Sequence, residues 1–149
     1  MIMSQITRPL MGPKNAIIIG CNILSSSIAS SLVEQGDKVY VLDPDDRAFD
    51  WLEEAKVESQ RIVPIVGDGS SRKDLERANA SDTDVLLALS EDDIHNALVA
   101  QIARHTYQTR IVACRIDDRK LQKMYTAIGV YAINTADISS ELFLDTAGS

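Results

Sequence analysis

The feature that most constrains the fold is a regular alternation of short apolar runs, rich in β-branched residues, with longer amphipathic stretches. The runs lie at residues 16–20, 38–42, 61–66, 84–89, 110–115 and 130–133. Each is apolar on both faces, as a strand of a helix-covered parallel sheet should be. Parallel neighbours need crossover connections, so we predict helices at 23–35, 47–59, 72–79, 91–105 and 118–128, and a short last one at 138–144. The pattern predicts a doubly wound α/β domain with about six parallel strands and helices on both faces.

Residues at the segment ends support these boundaries. Ser71 and Ser90 each stand three residues before an acidic residue, a pattern in which the serine caps the helix start. Gly36 and Gly129 follow the first and fifth helices and are predicted to end them with a positive φ angle. Pro64 removes one hydrogen-bond donor from the third run, which predicts an edge strand. The common strand order 3-2-1-4-5-6 has its third strand at an edge, so we expect that order.

Length and composition limit the classes of protein. A chain of 149 residues with 45% hydrophobic and 25% charged residues is typical of one globular domain. We expect a flexible leader over residues 1–14 and a single domain over 15–149. The 15 basic and 22 acidic residues give a net charge of −7, so nucleic acid is not an expected partner. No apolar run approaches the ~18 residues of a membrane span, and no signal peptide is recognisable, so we expect a cytoplasmic location.

The two cysteines, Cys21 and Cys114, are too few for a disulfide framework and lack the spacing of a zinc site. The predicted strand order separates them by a strand, which puts them beyond disulfide reach. We therefore expect reduced thiols and no metal site. A side hypothesis is that Cys21 is exposed beside a helix N-terminus, has a lowered pKa and reacts with oxidants.

Ligands of open parallel sheets bind beyond the carboxyl ends of the strands, near the point where the strand order reverses. At those ends the sequence places a Gly-Cys-Asn turn at 20–22, Asp43, a Gly-Asp-Gly turn at 67–69, Ser90 and Arg115. A helix start supplies N–H groups for phosphate, a carboxylate accepts ribose hydroxyls, and a guanidinium pairs with an anion. The combination predicts a nucleotide site.

The turn after the first strand keeps only the first glycine of the dinucleotide-binding pattern Gly-x-Gly-x-x-Gly, because Asn22 and Ser25 replace the other two. Asn22 can adopt a left-handed backbone and Ser25 is small, so we expect the turn to form, with less room for a pyrophosphate. Asp43 follows Gly20 at about the ~20-residue interval of a ribose-binding acid. From spacing alone, a role of Asp43 in capping the next helix is equally favoured.

Other candidate residues also have purely structural interpretations. Asp68 can bond the backbone of its own turn, and Arg115 can form a surface ion pair. Ser90 is expected to be a helix cap whatever else it does. His95 and His105 have no nucleophile or carboxylate arranged around them in the sequence, so both are interpreted as structural or surface residues. No catalytic residues are predicted.

Four segments carry a resemblance to a known family: IIIGCNILSSSIASSLVEQGDKVYVLDPD, VGDGSSRKDLERANASDTDVLLALSEDDIHN, IVACR and IGVYAI. From residue 15 to the last strand, the chain resembles the TrkA N-terminal domain family, also called RCK or KTN domains. The resemblance implies a Rossmann fold that forms a homodimer and binds NAD(H), AMP, ADP or ATP. It also implies a potassium transporter or channel subunit as partner, and so a position peripheral to the membrane through that partner.

Matching positions carry over the family's site. The turn that would face the phosphates comprises Gly20, Cys21, Asn22, Ile23 and Leu24, and the ribose hydroxyls would face Asp43 with Pro44 beside it. Asp68 and Gly69 would lie beside the adenosine, Ser90 beside the cleft, and Asn96 and Arg115 match the family's asparagine and phosphate-reaching arginine. The departures at Asn22 and Ser25 make an adenine mononucleotide at least as favoured as NAD. The resemblance also leads us to expect no second, C-terminal ligand-binding domain.

The function that these features favour is nucleotide-dependent regulation of a potassium transporter or channel, without turnover. One alternative is a small NAD-dependent oxidoreductase, although the sequence has neither a Tyr-x-x-x-Lys pair nor a P-loop. Another is a dimerisation module of the same fold that binds no ligand, which the two missing glycines favour.

Overall fold

The computed structural model describes residues 14–137. Within this range, six parallel strands form one sheet in the order β3-β2-β1-β4-β5-β6. The strands are β1 (Asn15–Ile19), β2 (Lys38–Asp43), β3 (Ile62–Val66), β4 (Val85–Ala88), β5 (Ile111–Arg115) and β6 (Tyr131–Ile133). The predicted α/β class, strands and strand order are confirmed. The predicted leader over residues 1–14 falls outside the described residues except for its last one, and the predicted helix at 138–144 falls wholly outside them.

Helices cover both faces of the sheet. They are α1 (Ile23–Glu34), α2 (Glu54–Glu58), α3 (Arg72–Arg77), α4 (Asp93–His105) and α5 (Arg119–Ala127), with 3-10 helices at Asp46–Trp51 and Ala80–Asp82. The prediction of one continuous helix over 47–59 is wrong. Leu52 adopts an extended backbone conformation (φ −76°, ψ 146°) and is only 7% exposed, because its side chain enters the core. This residue separates the 3-10 helix from α2.

Alternate residues of β1 enter two separate hydrophobic layers. Ile17 packs in a layer with Leu75 of α3 and Val99 of α4, whereas Ile18 packs in the opposite layer with Leu32 of α1. Helices α1 and α2 therefore lie on one face of the sheet, and α3, α4 and α5 lie on the other. Burying an isoleucine or leucine side chain fully contributes about 1.5–3 kcal/mol, so these two layers are a main source of stability.

The strand register brings the carboxyl ends of neighbouring strands level. Ile19 of β1 pairs with Leu42 of β2 on one side and with Ala88 of β4 on the other, and Ala88 pairs with Cys114 of β5. The loops that follow β1, β2, β4 and β5 consequently leave the sheet along one edge.

The structure confirms several of the residues that were predicted to mark helix ends and the edge strand. Gly36 and Gly129 follow α1 and α5 with φ angles of 99° and 89°. Ser71 caps α3, since its hydroxyl accepts from the Asp74 backbone N–H. Among the described strands β3 pairs only with β2, which places Pro64 on an edge strand.

The expectation that Ser90 caps the fourth helix is wrong. Helix α4 begins at Asp93, and its N-cap is Asp92, whose carboxylate accepts a hydrogen bond from the His95 backbone N–H at 3.0 Å. Ser90 lies two residues further out and is held by a different partner, described below.

Within residues 14–137, no helix combines the length and the apolar character that crossing a membrane requires.

Candidate functional site

The strand order reverses between β1 and β4, and the loops after these two strands meet closely. Gly20 has a φ angle of +90°, a left-handed conformation that favours glycine. A Cβ atom built at Gly20 would lie 2.6 Å from the Ser90 Cα. The first glycine of the turn is thus required both by its own backbone and by the approach of the loop after β4.

Asn22 connects these loops through its side chain. Its Oδ1 accepts from the Ser25 backbone N–H at 3.0 Å, which makes Asn22 the N-cap of α1. Its Nδ2 donates to the Leu89 carbonyl at 2.9 Å. The Asn22 backbone is extended (φ −155°, ψ −171°), so the left-handed conformation that an asparagine can adopt is not used in this turn. An N-cap residue needs non-helical extended angles, and the left-handed position of this turn is taken by Gly20.

Ser25 stabilises the turn from inside. The side chain is fully buried, and its hydroxyl donates to the Gly20 carbonyl. The turn that was expected to survive without two of its glycines does form. Ile23 and Leu24, the first two residues of α1, follow it at the carboxyl edge of the sheet, and the Ile23 side chain is 65% exposed.

Asp43, at the end of β2, ties the two neighbouring loops together. One carboxylate oxygen accepts from the Cys21 backbone N–H at 2.9 Å, and the other accepts from the Asp45 backbone N–H at 2.9 Å. The cap of the following 3-10 helix is Asp45, whose carboxylate accepts from the Arg47 backbone N–H. Asp43 therefore holds the turn after β1 rather than the helix start, and Pro44 beside it is exposed.

Cys21 does not have the environment that the oxidation hypothesis requires. Its side chain is 7% exposed, and its Sγ donates to the Ala48 carbonyl at 3.2 Å. Burial, followed by the negative charge of Asp43, raises the pKa of the Cys21 thiol to about 11. The hypothesis of an exposed Cys21 with a lowered pKa is wrong, because desolvation disfavours the thiolate. Cys21 and Cys114 are both free thiols.

The loop after β3 carries Asp68 and Gly69 to the same edge. Asp68 Oδ1 accepts from the Ser70 backbone N–H and from the Ser70 hydroxyl, both at 2.8 Å, and lies 2.8 Å from His95 Nε2. These contacts, the Ser70 amide first and the His95 ring second, lower the pKa of the Asp68 carboxyl. A Cβ atom at Gly69 would lie 2.5 Å from the Ile19 side chain, so the loop rests directly on the end of β1.

The interpretation of His95 as a residue without a carboxylate partner is wrong. Asp68 and His95 are 27 residues apart in the sequence, and no local motif joins them. The available signal was topological, because both residues follow strands whose carboxyl ends meet at one edge of the sheet.

Asn96 fixes the ends of β4 and β5. It is fully buried, its Oδ1 accepts from the Ser90 backbone N–H at 3.0 Å and from the Ser90 hydroxyl at 2.7 Å, and its Nδ2 donates to the Ser90 and Arg115 carbonyls. Through these four hydrogen bonds the buried Asn96 amide holds Ser90 in place at the carboxyl end of β4. The side chain of Arg115 is 20% exposed, and its Nε donates to the Asp117 carboxylate at 3.0 Å.

The structure thus brings the turn after β1 together with Asp43, and it connects Asp68 to α4. Ser90, Asn96 and Arg115 form a second group at the ends of β4 and β5. Among residues 14–137, no three or more His, Cys, Asp or Glu side chains are arranged to hold a metal ion.

Comparison with known proteins gives one family. The model described as the TrkA-N domain matches residues 16–136. The chain is similar to the Trk system potassium uptake protein TrkA of Streptomyces coelicolor, with 27% identity over 128 residues. That match covers 86% of this chain and 56% of the relative, so the chain spans little more than half of the relative's length.

The solved structures that share the fold at low sequence identity include the following three. The TrkA-N domain of inner membrane protein ybaL from Escherichia coli has a TM-score of 0.74 and 11% identity, covering 92% of this chain and 98% of that one. The NAD(P)-binding domain of an exopolyphosphatase-related protein from Archaeoglobus fulgidus has a TM-score of 0.72 and 16% identity, with coverages of 91% and 98%. The Kef CTD of Shewanella denitrificans, solved in AMP-bound form, has a TM-score of 0.69 and 19% identity, with coverages of 90% and 80%.

Proposed function

Because the chain belongs to the TrkA-N domain family, we propose that it is a nucleotide-binding regulatory domain that controls a potassium transporter or channel. It acts by binding, without turnover of the ligand. The nucleotide is NAD(H) or an adenine nucleotide, and its binding shifts the domain between two arrangements for which the membrane partner has different affinities.

The observation that carries this proposal is the arrangement around Asp43. Its two carboxylate oxygens each accept one backbone N–H, from Cys21 and from Asp45, and a carboxylate has about four lone-pair positions in total. Acceptor capacity therefore remains for the two hydroxyls of a ribose. The start of α1 adjoins this carboxylate, and the backbone N–H groups of Ile23 and Leu24 have no acceptor within the helix. A ribose next to a phosphate matches this pair of features.

The side chain of Asn22 favours a mononucleotide over a dinucleotide. A dinucleotide lies across the crevice at the reversal of strand order, between the loops after β1 and β4. Here the Asn22 side chain already joins those loops through its bond to the Leu89 carbonyl. We infer from this contact that AMP, ADP or ATP binds more tightly than NAD(H).

The other residues that the family resemblance assigned to the site are proposed to take part as follows. Asp68 and Gly69 line the adenosine side, and Ser90 lines the cleft. Asn96, being fully buried, serves the site by holding Ser90. Arg115 serves as the phosphate partner if it exchanges its contact with Asp117 for the ligand. We further propose a homodimer in the cytoplasm that is held at the membrane by its transporter.

The test is isothermal titration calorimetry of the purified chain with AMP, ADP, ATP, NAD and NADH, together with thermal unfolding in the presence of each. Ligand at about 100 times its dissociation constant stabilises the folded state by ~2.7 kcal/mol, which a melting curve detects easily. Asp43→Ala is expected to weaken binding severalfold. The matched control is Asp46→Ala, which removes a neighbouring exposed charge at the start of the 3-10 helix that follows.

Each outcome separates two interpretations. Unchanged affinity in Asp43→Ala would remove Asp43 from the ribose site. Failure of all five nucleotides to bind the wild type would contradict the proposed function and favour the dimerisation module without a ligand. Hydride transfer in a metabolite panel would instead favour the oxidoreductase.

A further inference from the structure

The contact between Asp68 and His95 crosses the ends of two strands. Asp68 follows β3, and His95 lies in the first turns of α4, which follows β4. Strands β2 and β1 lie between β3 and β4 in the sheet, and neighbouring strands are about 4.8 Å apart. The loop after β3 therefore reaches over the end of β2, which finishes at Asp43, and over the end of β1, which Gly20 follows. Its path close to β1 is fixed by Gly69, which has no room for a Cβ against Ile19.

The two oxygens of the Asp68 carboxylate have different surroundings. Oδ1 has three contacts, two from Ser70 and one with His95 Nε2. Within the part of the chain that the structure describes, Oδ2 has no hydrogen-bond partner, and the Asp68 side chain is 54% exposed. Ser70 anchors the carboxylate to its own loop, whereas His95 is the contact that ties it to another element. Oδ2 is thereby left as an available acceptor beside the edge of the sheet.

Charged groups near the pair are mostly acidic. Asp74 accepts from the Asp68 backbone N–H at 2.9 Å and pairs with Arg77. On the side of α4, Asp92 accepts from the His95 backbone N–H, and Asp93 accepts from the backbone N–H groups of Asp117 and Asp118. Glu91 precedes α4 in the sequence, and Arg115 is paired with Asp117.

We propose that His95 is a positioning residue of the nucleotide site: it holds the loop after β3 so that Asp68 Oδ2 accepts a hydrogen bond from the adenosine, and it does so more strongly when protonated. This inference rests on the proposed function. A proton on His95 turns the contact with Asp68 into a charge-assisted hydrogen bond, which is shorter and stronger than a neutral one. Histidine is the side chain that gains its proton between about pH 8 and pH 5. Nucleotide affinity is therefore linked to pH through this contact, and by reciprocity binding favours the protonated ring.

The experiment measures the dissociation constant of AMP from pH 5.5 to pH 8.0 in the wild type, His95→Gln and His105→Gln. The substitution His95→Gln removes the titrating ring, yet it keeps an N–H donor of similar reach. His105→Gln is the matched control, because the chain has two histidines and His105 is exposed at the far end of α4. The AMP phosphate itself titrates near pH 6, so the quantity compared is the ratio of each variant's dissociation constant to that of the wild type.

We expect the His95→Gln ratio to grow about two- to fivefold as the pH falls from 8.0 to 5.5, the scale of a partly exposed ion pair. The His105→Gln ratio should stay near one throughout. A second measurement repeats the comparison in an Asp68→Asn background. If His95 acts through Asp68, His95→Gln has no further effect there, as a double-mutant cycle requires.

A His95→Gln ratio that does not change with pH, or an undiminished effect in the Asp68→Asn background, would overturn this inference and leave the proposed function intact. If the wild type binds neither AMP nor any of the other four nucleotides at any of these pH values, both fail together.

Discussion

Gly20 and Ser90 approach so closely that a Cβ atom at Gly20 would lie 2.6 Å from the Ser90 Cα and 2.7 Å from the Ser90 backbone nitrogen. This contact joins the ends of β1 and β4 where the strand order reverses. Because the crowding atoms belong to a backbone, they cannot move aside as a flexible side chain would. The first glycine of the turn is therefore required for packing, independently of any ligand.

The substitution Gly20→Ala is expected to destabilise the fold by more than ~3 kcal/mol, since it adds backbone overlap to the cost of a left-handed alanine. Gly36→Ala is the matched control: Gly36 has a φ of +99°, but nothing lies within 4 Å of its Cβ position. That variant should lose only about 1–2 kcal/mol. Urea unfolding monitored by circular dichroism measures both values. Equal losses of unfolding free energy in Gly20→Ala and Gly36→Ala would mean that the backbone at Ser90 moves to make room for the added methyl group.

Among the buried polar residues at the carboxyl ends of the strands, Asn96 is the one whose substitution is expected to lower the free energy of unfolding most. Asn96→Ala leaves the Ser90 N–H and the Ser90 and Arg115 carbonyls without their partner, and each buried unsatisfied group costs about 1–3 kcal/mol. We expect a total loss of about 2–4 kcal/mol, because water reaches part of the opened site.

Asn96→Asp refines this prediction. The introduced carboxyl keeps the shape of the amide but cannot donate to both carbonyls, and burial disfavours its charge. The variant should lose further stability relative to the wild type as the pH rises from 4 to 7, because the introduced carboxyl is forced to ionise while buried. Thermal unfolding across that range measures it, and parallel curves for the two proteins would contradict the buried hydrogen-bond arrangement.

Both thiols are expected to resist modification in the folded protein. Burial raises the pKa of Cys21 to about 11 and that of Cys114 to about 12, with Asp43 and Asp93 respectively adding to the shift. At pH 8 only about one Cys21 in a thousand would be a thiolate, the form that reacts. Ellman's reagent should therefore react slowly with the native protein and rapidly with two thiols per chain in urea. Fast labelling of a Cys114→Ala variant under native conditions would show that Cys21 is accessible after all.

The sequence predicted the strands and their order because both depend on local patterns and a general topological rule. Runs such as 16–20 are apolar on both faces, and Pro64 independently placed the third run at an edge. The missed details involve partners that are distant in sequence. Sequence alone allowed a left-handed backbone at Asn22, but this residue is an extended N-cap whose side chain bonds the Leu89 carbonyl, 67 residues away. Ser90 was expected to cap a helix, but Asn96 holds it instead.

The same distinction applies to the candidate site. Its location at the carboxyl ends of the strands follows from the parallel topology alone, which is why Asp43 and Asp68 were found in the sequence. Which donors each carboxylate receives is decided by how the loops fold over the sheet. Sequence spacing alone left Asp43 undecided between a cap and a site residue, and it gave no indication that Asp68 meets His95.

Asp37 directly precedes β2, at the amino ends of the strands, and its buried carboxyl predicts how the stability of the fold depends on pH. It is 7% exposed, and its Oδ1 accepts from the Lys14 backbone N–H at 3.0 Å. Burial is the largest cause of a raised pKa for this carboxyl; the charge of Asp84 adds to it, while Lys14 and Arg61 oppose it. A carboxyl whose pKa is higher in the folded state contributes stability at low pH that is lost as the pH rises through the folded pKa. At neutral pH its charge is therefore a net cost.

The substitution Asp37→Asn removes that charge and keeps a carbonyl acceptor for the Lys14 N–H, so the variant should be at least as stable as the wild type at pH 7. The melting temperature of the wild type should rise relative to this variant as the pH is lowered towards 4.5. Asp50→Asn, at an exposed position, should show no such trend. A wild type that instead loses stability relative to Asp37→Asn on acidification would mean that Lys14 and Arg61 outweigh the burial of Asp37.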